Sequence, residues 1–379
     1  MKLKHLKWIF LFFSWVVTCC TDPFDPGITD YEKVLVVEGL ITDQPGPYRV
    51  TLSRTTPINS EEAIAEEGAL VRISDDHGNE AVLQETSPGV YETQKTDIQG
   101  VSGRAYTLHI HTYNGQTFES EQVVLQTVPE IDSIYTTYQE KYSFDYNKIL
   151  PGIQINVDTE AWDPQEDYYL KWDYEETWKI EPLWRSVEME YKPCWKKEYN
   201  NAVLLENTSE YTSNQLVGYP LTQYSNESYK FFDGYSILVT QYALNHSAYQ
   251  FWKMVDESSK DNGSIFDNVP FNPQSNIFNS GDDATRVFGY FDAAGVDQKR
   301  VYFETPLHGL NFKSYYSHFD CDLYMMRPSL YYNSGKVHKS WVLWENPLID
   351  TLAYTFDKEC IDCSMFTTTT KKPSFWAYD

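Results

Sequence analysis

The chain has 379 residues, a net charge of -25 at pH 7, 41% apolar residues and 16% aromatic residues. So acidic a surface repels the phosphate backbone, which argues against nucleic acid as a partner. The apolar content argues against a disordered chain, and the length leaves room for two domains. Thirty tyrosines and eleven tryptophans are the kind of aromatic load that fills cores and cross-strand pairs in β proteins. A minority reading makes some of them platforms for stacking sugars.

The chain starts with Lys2, Lys4 and Lys7, followed by an apolar run from Trp8 to Val17 broken only by Ser14, and then Thr18, Cys19 and Cys20. A basic start, a short apolar run and a small-residue approach to a cysteine form a secretory signal. The run is too short to cross a bilayer comfortably. Residues 1-19 are therefore expected to be a lipoprotein signal peptide, with Cys20 as the lipidated residue; cleavage before Cys19 is the rival register. Residues 20-32, rich in Pro and Asp, read as a tether.

Strand signals begin at Val34. Tyr48, Val50 and Leu52 alternate with Arg49, Thr51 and Ser53, which is the period of a half-buried strand. Further strands are expected at Leu70 to Ser74, around Val82 and Leu83, and from Val90. Turns are expected at Asp76-His-Gly-Asn and Pro88-Gly. Tyr106, Leu108 and Ile110 share one face, and Asn114-Gly115 is a strong hairpin signal. Thr117 to Leu125 is the return strand. Short strands at this spacing predict a β-sandwich over 33-128, immunoglobulin-like or carboxypeptidase-regulatory-like.

Pro129 marks the start of a second, larger β-rich domain, 129-379. Ile153, Ile155 and Val157 form one strand face; Tyr168, Leu170, Trp172 and Tyr174 form another. Val187 to Tyr191 and Tyr235 to Val239 are strand candidates. The polar stretch from Asn200 to Asn226 reads as loops. One helix is expected near 245-261. Asn245 is its cap, Ala248, Phe251, Trp252 and Val255 form its apolar stripe, and Gly263 lies at its end. Asp267 to Asp283 reads as a loop. Separate short strands are expected at Val287 to Phe291, Val301 to Glu304, Leu323 to Met325 and Trp341 to Trp344.

Cys194, Cys321, Cys360 and Cys363 are an even set, and in an exported chain such a set predicts disulfides. Three pairings are open. Cys360 and Cys363 have the spacing of a redox pair, but no βαβ pattern surrounds them, so structural disulfides rank ahead of metal and redox chemistry. His109 and His111 share a strand face without further nameable ligands. The sequence has no G-x-S-x-G or H-E-x-x-H pattern. Its many carboxylates single out no pair for glycoside hydrolysis. The expectation is no catalytic residue, no metal and no cofactor.

Several motifs align in order with one family: Cys20-Thr-Asp-Pro-Phe-Asp-Pro, Val34-Leu-Val-Val-Glu-Gly, Gly89-Val-Tyr, Ala248-Tyr-Gln-Phe-Trp, Val287-Phe-Gly-Tyr-Phe and Glu359-Cys-Ile-Asp-Cys. Together they resemble the domain of unknown function 4249 family of Bacteroidota outer-membrane lipoproteins. The chain departs from it after Cys363, where Ser-Met-Phe-Thr-Thr-Thr-Thr stands in place of a Gly-rich segment. The acidic residues behind Cys20 resemble export tags, which implies an outer-membrane lipoprotein facing the cell surface, with the periplasmic leaflet as the alternative. The resemblance implies a non-enzymatic accessory of a TonB-dependent transporter, serving substrate capture or gating, attached to the membrane through its lipid. A surface glycan-binding or adhesin module and a carboxylate-pair hydrolase are the alternatives. The stretches 200-226 and 267-283 are the expected contact surfaces.

Overall fold

The computed structural model describes residues 33-56, 63-163, 167-186, 190-260, 274-282, 284-319, 321-333, 341-346, 351-355, 358-366 and 368-376. The signal segment, Cys20, the tether, Gly263 and residues 267-273 and 283 of the 267-283 stretch lie outside them, as do residues 187-189 of the strand expected at Val187 to Tyr191.

The chain is mainly β. The first unit contains β1 (Leu35–Thr42), β2 (Arg49–Arg54), β3 (Ile64–Ala65), β4 (Leu70–Asp75), β5 (Glu80–Ser87), β6 (Val90–Glu92), β7 (Ala105–His111), β8 (Thr117–Ser120) and β9 (Val123–Val124). It is the expected sandwich. The first half of β5 pairs with β4 and the second half with β6, so one strand passes from sheet to sheet. Leu35, Val37, Val50 and Leu52 meet Val71, Ile73, Leu108, Ile110 and Phe118 in a common core. The alternation read from the sequence is the reason: each strand points one side chain in two inward. The turn after β4 is held by Asp75, whose carboxylate accepts from the backbone N–H groups of His77 and Asn79 at 3.0 and 2.8 Å.

The second unit is another sandwich. One sheet consists of β10 (Ile131–Ser143), β11 (Lys148–Thr159) and, after β12 (Tyr169–Ile180), β13 (Cys194–Tyr199) and β14 (Leu204–Asn207), β15 (Tyr219–Ser225). The opposing sheet contains β12, β13, β14, β16 (Tyr235–Leu244) and, beyond α1 (His246–Lys260) and β17 (Ile277–Asn279), the long β18 (Val287–Phe303). Ile153, Ile155 and Val157 pack against Leu170, Trp172, Ile237 and Val239. A small third layer follows: β19 (Tyr324–Met326), α2 (Pro328–Asn333), β20 (Trp341–Asn346) and β21 (Thr351–Thr355). Two disulfides, Cys194–Cys363 and Cys321–Cys360, brace this end. Each cysteine of the closely spaced pair thus bonds to a distant partner rather than to its neighbour.

The helix forms as expected. Asn245 Oδ1 accepts from the Ala248 N–H at 2.7 Å, and Ala248, Phe251, Trp252 and Val255 pack on Leu244, Tyr290 and Ala294. Two expectations are corrected. The stretch 200-226 is not simply loop, because Leu204–Asn207 and Tyr219–Ser225 are paired strands. Leu221 and the aromatic bodies of Tyr219 and Tyr224 supply the packing that the Ser, Thr and Asn content disguised. The segments expected as separate strands at Val287 to Phe291 and Val301 to Glu304 are one seventeen-residue strand.

That strand joins the two units. Its first half pairs in parallel with β1, from Val287 opposite Leu35 to Ala294 opposite Thr42. Its second half pairs antiparallel with β16, from Gly295 opposite Ala243 to Phe303 opposite Tyr235. The crossing needs small residues. A Cβ on Gly289, which sits at φ +92°, would stand 1.8 Å from the Val37 carbonyl oxygen, and one on Gly295 would stand 2.3 Å from that of Gln126. The N-terminal sandwich is therefore completed by strands from the last third of the chain, β17 on β8 and β18 on β1.

Candidate functional site

Because β18 runs through both units, strands β12, β16, β18, β1 and β2 form one continuous surface. Their inward side chains fill the two cores. Their outward side chains, one residue in two, meet at the junction beneath α1. Two adjoining hollows open there, of about 400 and 550 Å³. Glu38, Lys171, Asp173, Tyr242 and Trp252 line both. The register explains the assembly: Lys171 lies opposite Tyr242, Glu38 opposite both Tyr290 and Thr51, and Leu40 opposite Asp292. Trp252 reaches the groove from α1, whose docking fixes that wall.

The positive charges in the groove are already engaged. Lys171 Nζ donates to both carboxylate oxygens of Asp173 at 2.8 and 2.7 Å. It also lies 4.8 Å from the centre of the Tyr242 ring and 5.0 Å from that of Trp252, a cation–π arrangement on two sides. Arg49 pairs with Glu92 at 2.7 Å. Glu175, at the far end, is held by Arg300 and Lys197, each at 2.8 Å.

Two carboxylates differ. Asp292 is only 6% exposed although it lines the groove. One of its oxygens accepts from the neighbouring Ala293 N–H at 2.8 Å. Among the described residues it has no ion pair. Burial pushes its pKa up to about 6, against the opposing pull of the Ala293 N–H and the Lys171 charge. Glu38 faces solvent in the same groove, likewise without an ion pair among the described residues.

A second acidic cluster is closed. Glu176, 3% exposed, accepts from the hydroxyls of Tyr224 and Tyr235, both at 2.5 Å, and from Lys230 Nζ at 2.7 Å. Every partner is internal, so the network holds the second core together and leaves nothing free for a ligand. His109 and His111 are engaged separately, with Ser74 at 2.9 Å and Thr117 at 3.0 Å. Among the described residues no group of three or more His, Cys, Asp or Glu side chains is placed to hold a metal. No described helix is long and apolar enough to cross a membrane.

One further surface stands out. The β10–β11 hairpin ends in Phe144, 89% exposed, with Tyr142, Tyr146 and Ile149 also exposed beside it. Sequence reasoning singled out neither this hairpin nor the groove. The groove had a signal: Lys171, Asp173 and Glu175 alternate with Leu170, Trp172 and Tyr174, so a strand with one buried face carries a charged row on the other. What the alternation lacked was the pairing that sets Tyr242, Asp292 and Glu38 beside that row.

Fold and groove together define a two-unit β protein whose open, charged site lies where its sheets merge. The chain belongs to the family described as a domain of unknown function (DUF4249), which it matches over residues 21–300. That match covers the first sandwich, α1 and all but the last residues of β18, and hence every groove residue named above. No curated protein matches the chain.

Proposed function

We propose that the protein is a non-enzymatic, lipid-anchored binding protein of the outer membrane, facing the cell surface, that captures a ligand for a TonB-dependent transporter. The observation that carries the binding reading is the junction groove. It is open, walled by aromatic rings, and contains a buried carboxylate, Asp292, that has no ion pair among the described residues. Such an arrangement supports a recognition role. The lipid anchor rests on the basic, apolar, cysteine-ended start of the chain. The transporter partner rests on the family resemblance, and the exposed aromatic tip of the β10–β11 hairpin is the surface we assign to it.

The glycan-binding alternative is less well supported, because Lys171 already lies over the Tyr242 and Trp252 rings, where a sugar would stack. The test is affinity purification of the full-length lipoprotein in detergent, with its partners identified by mass spectrometry. A TonB-dependent barrel should co-purify, and Phe144→Ser combined with Tyr146→Ser should lose it without loss of fold. Cys20→Ala should release the protein from the membrane; release by Cys19→Ala alone would move the lipid to Cys19. If no barrel co-purifies with the wild type, the transporter reading is wrong. Protection of the protein from protease added to intact cells would place it on the periplasmic leaflet.

A further inference from the structure

We propose that the junction groove binds an organic cation, an ammonium or guanidinium group on an apolar stem such as a lysine or arginine side chain, with Asp292 and Glu38 as its counter-charges. This rests on the capture reading above and names the ligand class of that site.

The argument is one of charge pairing. Each cation in the groove has its own acid: Lys171 has Asp173, and Arg49 has Glu92. Glu38 and Asp292 are left over among the described residues. A neutral ligand would leave the buried Asp292 carboxylate with only the pull of Lys171, which Asp173 already pairs, and a desolvated charge without a partner of its own is costly. An anion would make the imbalance worse. A cation cancels it. The chain's net charge of -25 favours cations at a cleft by focusing the field there.

The walls supply the second half of the argument. Leu40, Leu244 and Trp252 line the same hollow and suit the methylene stem of a long cationic side chain, which buries its carbons while its head finds charge. The protein already shows that an ammonium is well accommodated here, since Lys171 sits between two rings and a carboxylate. The buried, unpaired state of Asp292 is what a preorganised ligand carboxylate requires.

The experiment is calorimetric titration of the full-length protein in detergent, at low salt and pH 7.5. The probes are N-acetyl-lysine methylamide, N-acetyl-arginine methylamide, the uncharged N-acetyl-norleucine methylamide, maltotriose and inorganic phosphate. The cationic amides should bind and norleucine should not. Asp292→Asn and the solvent-facing Glu38→Gln should each weaken binding about tenfold or more, as loss of one partner of a charge pair does. Lys171→Met, which frees Asp173, should tighten it. Equal binding of norleucine, or unchanged affinity in both carboxylate variants, would overturn the proposal. Binding of maltotriose or phosphate in place of the cations would overturn the ligand class and leave capture standing. If no probe binds while a barrel still co-purifies, the cation site is refuted and the partnership survives; if neither occurs, both readings fall.

Discussion

Asp292→Asn should make the protein more stable, and only at pH values where Asp292 is ionised. The ordinary aspartate value is 3.8, and burial raises it in the folded chain to about 6. The side chain is 6% exposed, so solvent screening removes little of the effect. A shift of about two units corresponds to about 3 kcal/mol between protonation states, an upper figure for the gain. Because the folded value is raised, the favourable contribution of the acid form is fully present below pH 3.8 and is lost as the pH climbs through about 6. Asparagine is neutral throughout and keeps an oxygen for the Ala293 N–H. The variant and the wild type should therefore differ little below pH 4, diverge between pH 4 and 6, and above it differ by a constant amount in the variant's favour. Asp233, also pushed up to about 6 by burial, titrates in the same window in both proteins and cancels in the difference. The remaining charged or titratable groups lining the same hollow, Glu38, Arg49, Lys171, Asp173, Tyr242 and Tyr290, are likewise common to both. Urea unfolding with disulfides intact, repeated from pH 3.5 to 8, reads the difference directly. A variant less stable than wild type at pH 7.5, or a difference that ignores pH, would refute the idea that Asp292 is a desolvated, uncompensated carboxylate.

Glu176→Ala should destabilise by about 2–4 kcal/mol, because it leaves the Tyr224 and Tyr235 hydroxyls without their acceptor in the second core and Lys230 with Glu198 alone; chemical denaturation checks this, and a loss under 1 kcal/mol would mean the network is solvated. Gly289→Ala should lower the yield of folded protein or the midpoint of denaturation sharply, since the added methyl meets the Val37 carbonyl in a left-handed backbone position. Replacing Cys321 and Cys360 together by serine should remove about 2–4 kcal/mol, read as a drop in the unfolding midpoint under non-reducing conditions. Peptide mapping of the non-reduced protein should recover the Cys194–Cys363 and Cys321–Cys360 pairs and no Cys360–Cys363 pair.

The first sandwich was legible because its strands obey period two and its turns carry Gly, Asn and Asp in the expected places. Val50 and Leu52, or Leu108 and Ile110, announce a buried face without help from the rest of the chain. The helix was equally legible from Asn245 and the stripe that ends in Val255. The long strand β18 was not. Its middle, Asp292-Ala-Ala-Gly-Val-Asp297, contains two acids and three small residues, which reads locally as a break. It is a strand because both flanks are already paired and the neighbouring backbones come too close for anything larger. Tyr219 to Ser225 was hidden in another way, since tyrosines at an otherwise polar edge carry their apolar bodies inward while the local composition looks like loop. The groove was illegible for a third reason. Its residues lie on five strands and a helix spread from Glu38 to Asp292, and they meet through the parallel pairing of β1 with β18.

That pairing also explains why the site sits where it does. A sheet that continues from one sandwich into another has no core of its own at the crossing; the two cores lie on either side, and the outer face between them is left as a trough. Filling the trough with large apolar residues would join the units more firmly. Instead the trough carries Lys171, Asp173, Glu38 and Asp292, and α1 covers only part of it. One of those acids is buried at a cost that asparagine would spare. Charges in such a position are poor material for stability, and their presence fits the binding role proposed above. The same geometry ties the ligand to the scaffold: a cation seated between Glu38 on β1 and Asp292 on β18 would bridge the strand pair that holds the two units together. Occupancy should then protect the β1 and β18 amides from hydrogen exchange more than those at the tip of the β10–β11 hairpin around Phe144, and equal protection everywhere would separate ligand binding from the junction.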